Sequence, residues 1–116
     1  MTKRLAKTSA YPVRITSAAW RDLEEICTWI AEHDSPGNAE HVLDRLSATA
    51  AKIGETPHRG SRPTELPPGT EGEYRQVFFK PYRLIYEFSG TEVIILLIAD
   101  GRRNLQSLLL RRLLGA

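Results

Sequence analysis

The sequence predicts an α+β fold in which a hairpin of two helices packs on a small, mostly antiparallel β-sheet. Three features predict it: two successive segments with apolar residues at helical spacing, a proline- and glycine-rich segment after them, and three short apolar runs separated by turn residues. A chain of 116 residues, 41% of them apolar, is long enough for one hydrophobic core and too short for two. We therefore expect a single domain over residues 1–116.

The first half of the chain predicts one strand and then two helices. Residues 1–10 are basic and are expected to form a flexible extension, and Tyr11–Thr16 alternates in the manner of a short strand. An apolar stripe over Ser17–His33 predicts a helix that its first serine caps. A second stripe over Pro36–Gly54 predicts another helix, capped by Ser35, with proline in its first turn. The connection is short, so the two helices should lie antiparallel.

The second half predicts a loop, three strands and a last helix. Four prolines and three glycines over Thr56–Gly72 predict a loop. The runs Tyr74–Phe79, Tyr82–Phe88 and Val93–Ala99 predict strands joined by short antiparallel connections. The last of these is apolar throughout, which predicts a central strand covered on both faces. Leucines at helical spacing over residues 104–116 predict a C-terminal helix that stops at its glycine.

Charge is distributed unevenly along the chain. Residues 1–16 contain 4 basic and 0 acidic residues, residues 17–58 contain 3 basic and 8 acidic residues, and residues 59–116 contain 9 basic and 6 acidic residues. Twelve of the 16 cations are arginine, the side chain suited to a bidentate grip on carboxylate or phosphate. This distribution favours an anionic or acidic partner.

The sequence carries no sign of secretion or membrane insertion. Its longest apolar run is far shorter than the ~18 residues that a membrane span needs, and its basic start lacks the apolar segment of a signal peptide. The single cysteine, Cys27, fits a reducing compartment. We expect a cytoplasmic protein.

Few single residues suggest cofactor or metal chemistry. Zinc, phosphate-loop and nucleophile-elbow motifs are absent from the sequence, and the histidines are scattered: His33, His41 and His58. Cys27 falls on an inward stripe and is expected to act as a small buried hydrophobe. Trp20 and Trp29 are expected to pack in the core, with a partner anchor as the alternative for one of them. We expect neither a metal nor a cofactor.

Four arginines at or near strand ends are the candidate functional residues: Arg75, Arg83, Arg102 and Arg103. The first two share a sheet face only if the loop between their strands is longer than two residues or bulged. Pro81 disfavours the bare two-residue loop of type I′, because its ring forbids positive φ. The alternative is that all four are solvated charges paired with carboxylates such as Glu87 and Asp100.

The ordered motifs resemble the ParE/RelE superfamily of toxins from bacterial type II toxin-antitoxin modules. The resemblance rests on PHRG in the loop, EYRQVFF and PYRLIY in two strands, and the apolar strand that ends in DGRR. It covers nearly the whole chain after residue 10 and implies the same β-α-α-β-β-β order with a variable C-terminal segment.

Two activities contend within that superfamily. RelE-like toxins cleave messenger RNA on the ribosome, and the matching site residues here would be Arg75, Arg83 and Arg103. Val77 and Leu109 stand where that family has a second basic residue and a tail tyrosine, and His58 is the one residue available as a substitute base. Cleavage needs groups that transfer protons, which arginine does not supply. The resemblance thus leans away from an enzyme.

The helical hairpin and the leucine- and arginine-rich tail are more similar to ParE, the plasmid stabilisation toxin. That resemblance implies growth arrest through binding of DNA gyrase, and a cognate antitoxin whose acidic segment covers the toxin in a hetero-oligomer. The residues expected at that interface are Arg75, Arg83, Arg102, Arg103, Leu110 and Leu114. The alternatives are a ribonuclease acting on ribosome and messenger RNA, and a non-toxic module that binds nucleic acid or protein.

Overall fold

The computed structural model describes the backbone of residues 2–6 and the whole of residues 11–115. These residues confirm the predicted α+β fold. In chain order the elements are β1 (Thr2–Ala6), β2 (Val13–Thr16), α1 (Ser17–His33), α2 (Pro36–Glu55), β3 (Tyr74–Phe79), β4 (Tyr82–Phe88), β5 (Val93–Asp100) and α3 (Leu105–Leu113).

The five strands form one mixed sheet in the order β1-β2-β5-β4-β3. Strand β2 runs parallel to β5, and the other neighbouring strands are antiparallel. The apolar strand β5 lies in the middle, as its composition predicts.

The two faces of the sheet carry separate cores. The α1–α2 hairpin covers one face, where it packs on Leu84, Tyr86 and Ile95. Helix α3 covers the other face through Leu105 and Leu109, which pack on Ile85, Leu97 and Ala99. This arrangement explains why β5 is apolar at every position before Asp100. No helix among the described residues is long and apolar enough to cross a membrane.

Side-chain caps fix where the first two helices begin. The Thr16 hydroxyl accepts the Ala19 N–H at 3.1 Å, so the expectation that Ser17 caps α1 is wrong by one residue. The β-conformation of Thr16 leaves Ser17 as the first helical residue. Ser35 caps α2 as predicted, since its hydroxyl accepts the Asn38 N–H at 3.0 Å.

The N-terminal segment corrects the sequence analysis. Thr2–Ala6 forms a strand antiparallel to β2, where a flexible extension over residues 1–10 is expected. Backbone hydrogen bonds with β2 stabilise this strand. Because such bonds do not require apolar side chains, this basic segment shows no apolar alternation that would predict a strand. The other residues of the expected extension, 1 and 7–10, lie outside the described residues.

Side chains cap the stretch of β5 that extends beyond β2. A bulge at Leu96 shifts the β4–β5 register, and the Leu96 carbonyl accepts from the Arg112 guanidinium at 2.7 Å. The Ile98 N–H donates to the Asp22 carboxylate at 3.0 Å. Asp22 and Arg112 also form an ion pair of 2.8 and 3.0 Å. This ion pair joins α1 to α3 across the end of the sheet.

Candidate functional site

The β3–β4 hairpin register determines whether Arg75 and Arg83 share a face. Its loop has two residues, Lys80–Pro81, joined by a cis peptide bond. Neither loop residue has a positive φ, so the turn is not of type I′, which is the type that Pro81 disfavours, yet the loop is still the two-residue alternative. Arg75 therefore pairs with Tyr86 and Arg83 with Phe78, so the two arginines point to opposite faces.

Arg75 lies on the helical-hairpin face, where two of its guanidinium nitrogens donate hydrogen bonds. Its Nε donates to a Glu73 carboxylate oxygen at 3.1 Å, and its Nη1 donates to the Gly60 carbonyl at 2.5 Å. The Nδ1 atom of His58 is 2.6 Å from the same Glu73 oxygen. The hydrogen bond from Arg75, and then that from His58, lowers the pKa of Glu73. The loop histidine thus lies beside Arg75, and the two are joined through Glu73, the first residue of the EYRQVFF motif.

The motif residues around Arg75 fasten the long loop to the sheet. Tyr86 is fully buried, and its hydroxyl donates to the Pro57 carbonyl at 2.7 Å. Burial raises the pKa of this tyrosine. A Cβ atom on Gly60 would lie 2.5 Å from the Gln76 carbonyl oxygen and 2.8 Å from the Tyr86 hydroxyl. Only glycine fits there, which gives the PHRG motif a structural role.

Arg83 lies on the opposite face and is bound to the same loop. Its two terminal nitrogens each donate to a Glu65 oxygen at 2.8 Å, and one also donates to the Gln76 side-chain oxygen. The guanidinium carbon is 5.7 Å from the centroid of the Phe78 ring. Only 12% of the Arg83 side chain is exposed, and its hydrogen bond lowers the pKa of Glu65. This arginine is enclosed by the protein's own groups.

Arg102 and Arg103 are the two predicted arginines that the structure brings together, in the turn after β5. Asp100 accepts from Arg102 Nε at 3.0 Å and Nη2 at 2.6 Å, as well as from its backbone N–H at 2.9 Å. These bonds lower the pKa of Asp100 to about 2. Arg103 is exposed, and within residues 11–115 its side chain forms no ion pair. It remains available to a partner.

An open groove of about 480 Å³ runs between this turn and α1. Both charges and apolar groups line it: Asp22, Glu25, Asp100, Arg102 and Arg103 with Ile26, Trp29, Tyr82, Ile98 and Ala99. Trp29 is 61% exposed and stacks on His33 with ring centroids 4.4 Å apart. Trp20 packs against the core as expected, but the same expectation for Trp29 is wrong, because it lies beside the apolar stripe of α1.

Helix α3 divides its leucines between the core and the surface. Leu105 and Leu109 are buried, whereas Leu110 is 44% and Leu114 75% exposed. The two exposed leucines are those that the sequence analysis expects at a partner interface, and one helix face does not bury every leucine of the tail. Leu109, at the position of the RelE-like tail tyrosine, lies in the core, and Val77 is half-buried under the helical hairpin.

The cysteine and the acidic residues also have defined places. Cys27 is half-buried against α2, with Sγ 4.0 Å from the Ala39 carbonyl oxygen, and burial raises the pKa of its thiol. Sequence reasoning missed Glu65 and Glu73, the carboxylates that hold Arg83 and Arg75. Both lie outside the regular elements that sequence periodicity identifies, so the spacing of residues carries no signal for them.

Comparison with known proteins identifies relatives over most of the chain. A family model described as "ParE toxin of type II toxin-antitoxin system, parDE" matches residues 13–105. Toxin ParE3 of Caulobacter vibrioides is 30% identical over 84 residues, which cover 72% of this chain and 80% of that protein. A chain of a solved structure titled "Chromosomal ParDE TA system from P. aeruginosa" superposes with a TM-score of 0.63 at 21% identity, covering 74% of this chain and 90% of its own. At that identity the superposition shows a shared fold.

Proposed function

Because the chain belongs to the ParE toxin family of type II toxin-antitoxin systems, we propose that it arrests growth by binding DNA gyrase. A cognate antitoxin neutralises it by covering α3 and the turn before it. The antitoxin partner follows from the family; the target and the covered surface are our proposal.

The hairpin register is the observation that favours binding over RNA cleavage. Cleavage at a phosphate requires a base, cations and an acid around one reacting group. Arg75 and Arg83 point to opposite faces of the sheet, so they do not reach one phosphate together. Each is also held by a carboxylate of this chain, and Leu109 is fully buried. The two arginines therefore hold the loop against the sheet, and Leu109 is part of the core.

The exposed part of α3 supports a protein interface. Leu110 and Leu114 are four residues apart, so they lie on one side of the helix and form an exposed apolar pair. Arg103 before the helix and Arg111 within it are exposed cations. Apolar anchors with a basic surround fit a segment that carries apolar and acidic residues, which gives both affinity and fast association.

Expression of this chain alone, with and without the antitoxin encoded by a neighbouring gene, tests the proposal. We expect growth arrest from the toxin, recovery with the antitoxin, and intact messenger RNA in a translating extract. Codon-specific cleavage that Arg83→Ala or His58→Ala abolishes would contradict the binding mode and support a ribonuclease. Normal growth at a verified level of folded protein would contradict toxicity itself.

A further inference from the structure

We propose that a second groove, between α2 and β3, binds an extended acidic peptide segment of a partner protein as an added strand on the edge of the sheet. This α2–β3 groove has a volume of about 340 Å³. Its lining includes Arg45 and Lys52 from α2, Arg59 from the loop, and Val77–Phe79 from β3. The proposal does not depend on which enzyme the toxin targets.

The α2–β3 groove concentrates positive charge. None of its lining residues is acidic, and within residues 11–115 none of its three cations forms an ion pair. Arg45 lies over the Phe79 ring, with its guanidinium carbon 5.9 Å from the ring centroid, so it faces the groove. Residues 17–58 are acidic overall, yet two of their three cations line this one groove. Charge of one sign in a concave site attracts an anionic ligand.

The edge of β3 beside these cations has an open pairing position. The Gln76 N–H donates to the Ser61 carbonyl at 2.8 Å and its carbonyl accepts the Ser61 N–H at 3.2 Å, so both groups point away from β4. The β3–β4 register is uninterrupted, so the backbone groups of Phe78, two residues on, point the same way. They bond to no other backbone group in the part of the chain that the structure describes. The Phe78 side chain is 55% exposed.

These two features together fit an acidic peptide in extended conformation. Its backbone would pair with Phe78, and side chains on one side would reach Lys52 and Arg59 as carboxylates. Peptides that add a strand take affinity from main-chain hydrogen bonds and specificity from side-chain contacts. A second copy of this chain fits poorly, because edge-to-edge pairing would bring two sets of three cations together. Phosphates match the charge but not the alternating donors and acceptors of a strand edge.

Binding of a synthetic peptide to the full chain tests this proposal. The probe is the capped peptide Glu-Val-Glu-Ile-Asp-Val-Glu-Thr, compared with a version in which lysine replaces each acidic residue. We expect the acidic peptide to slow hydrogen exchange at the Phe78 amide and the lysine version to leave it unchanged. Lys52→Gln with Arg59→Gln should weaken binding about tenfold, as the loss of two partly exposed ion pairs predicts.

Matched variants separate this edge from nonspecific attraction. Arg14→Gln with Arg21→Gln removes the same charge from positions that do not line the groove and should preserve the affinity. Phe78→Pro removes one outward N–H where an edge strand tolerates proline, whereas Phe78→Ala removes the same ring and keeps that N–H. Binding should be lost in the folded proline variant and retained in the alanine variant. Equal losses in both charge variants, unchanged exchange at Phe78, or binding of an oligothymidylate but not of the peptide would overturn the proposal.

Discussion

Neighbouring carboxylates determine which arginines are available to a partner. Glu65 encloses Arg83 and Glu73 engages Arg75, whereas Arg102 shares its charge with Asp100 at the surface. Arg103 forms no ion pair among residues 11–115, although its charge also contributes to the lowered pKa of Asp100. Arg75 and Arg83 therefore hold the loop, Arg102 is neutralised by Asp100, and Arg103 is available to a partner.

The Asp100 carboxylate predicts a pH-dependent contribution to stability. Its pKa is lowered from 3.8 to about 2 by Arg102, so the stabilisation is complete above pH ~4 and is lost as the pH falls towards 2. Arg102 is 82% exposed, so solvent screening limits the effect to below about 1 kcal/mol. Asp100→Asn should therefore lower the free energy of unfolding at pH 6 by that amount, and by less at pH 3.

Urea unfolding at the two pH values measures this difference. Asp44→Asn, at an exposed aspartate without an ion pair in the described chain, provides the control. An equal loss at both pH values would assign the effect of Asp100→Asn to the hydrogen bond with the Arg102 backbone, not to charge.

Among the helices, α3 depends most on tertiary contacts. It spans nine residues, too few for a stable isolated helix. Two buried leucines and the Arg112 side chain hold it against the sheet and α1. Its position, and with it the exposed pair Leu110 and Leu114, therefore depends on one ion pair as well as on apolar packing.

Arg112→Met tests this dependence. The substitution keeps an apolar stem but leaves the Asp22 carboxylate and the Leu96 carbonyl without their donor. The pair is about five-sixths buried, with side-chain exposures of 17% and 16%, so we expect a loss of about 2 kcal/mol in the free energy of unfolding. Arg111→Met, at the exposed neighbour, should change it by less than about 0.5 kcal/mol. A double-mutant cycle with Asp22→Asn should show strong coupling, and additive losses would rule out the linkage of α1 to α3.

The exposed leucines of α3 carry a separate prediction about the antitoxin. Leu110→Ser with Leu114→Ser should lower the affinity by about two decades or more, given ~1.5–3 kcal/mol for each buried leucine. Gln106→Ser, at an exposed polar position of the same helix, is the control. Circular dichroism and a binding titration give the outcome. If the double variant is folded and its affinity is unchanged, the two leucines are not part of the interface. If the double variant unfolds, they are part of the core.

Across the whole molecule, the fold follows from patterns that the sequence displays. Apolar spacing identifies the two long helices and the central strand β5, because it reflects burial on one or both of their faces. Proline and glycine identify the loop, so the boundaries of these elements are predicted closely. Strand β1 is missed because its stability comes from backbone pairing, which leaves no mark on a short basic segment. The cap of α1 differs by one residue because Thr16 and Ser17 both have the chemistry of a cap.

The binding surfaces are less predictable because they depend on the conformation of loops and turns. The faces of Arg75 and Arg83 depend on the length of the loop between β3 and β4, which periodicity does not report. Glu65, Glu73 and His58 reach their partners through an irregular loop. The cations of the α2–β3 groove are separated by 7 residues or more along the chain and converge only in the folded protein.

Supercoiling of relaxed plasmid by purified DNA gyrase, in the presence of the purified protein, decides whether it is a gyrase-binding toxin. We expect inhibition that rises with protein concentration, is absent with the heat-denatured protein, and is reversed by the cognate antitoxin. Full gyrase activity at saturating protein, together with cleavage of messenger RNA in a translating extract, would contradict the gyrase-binding mechanism.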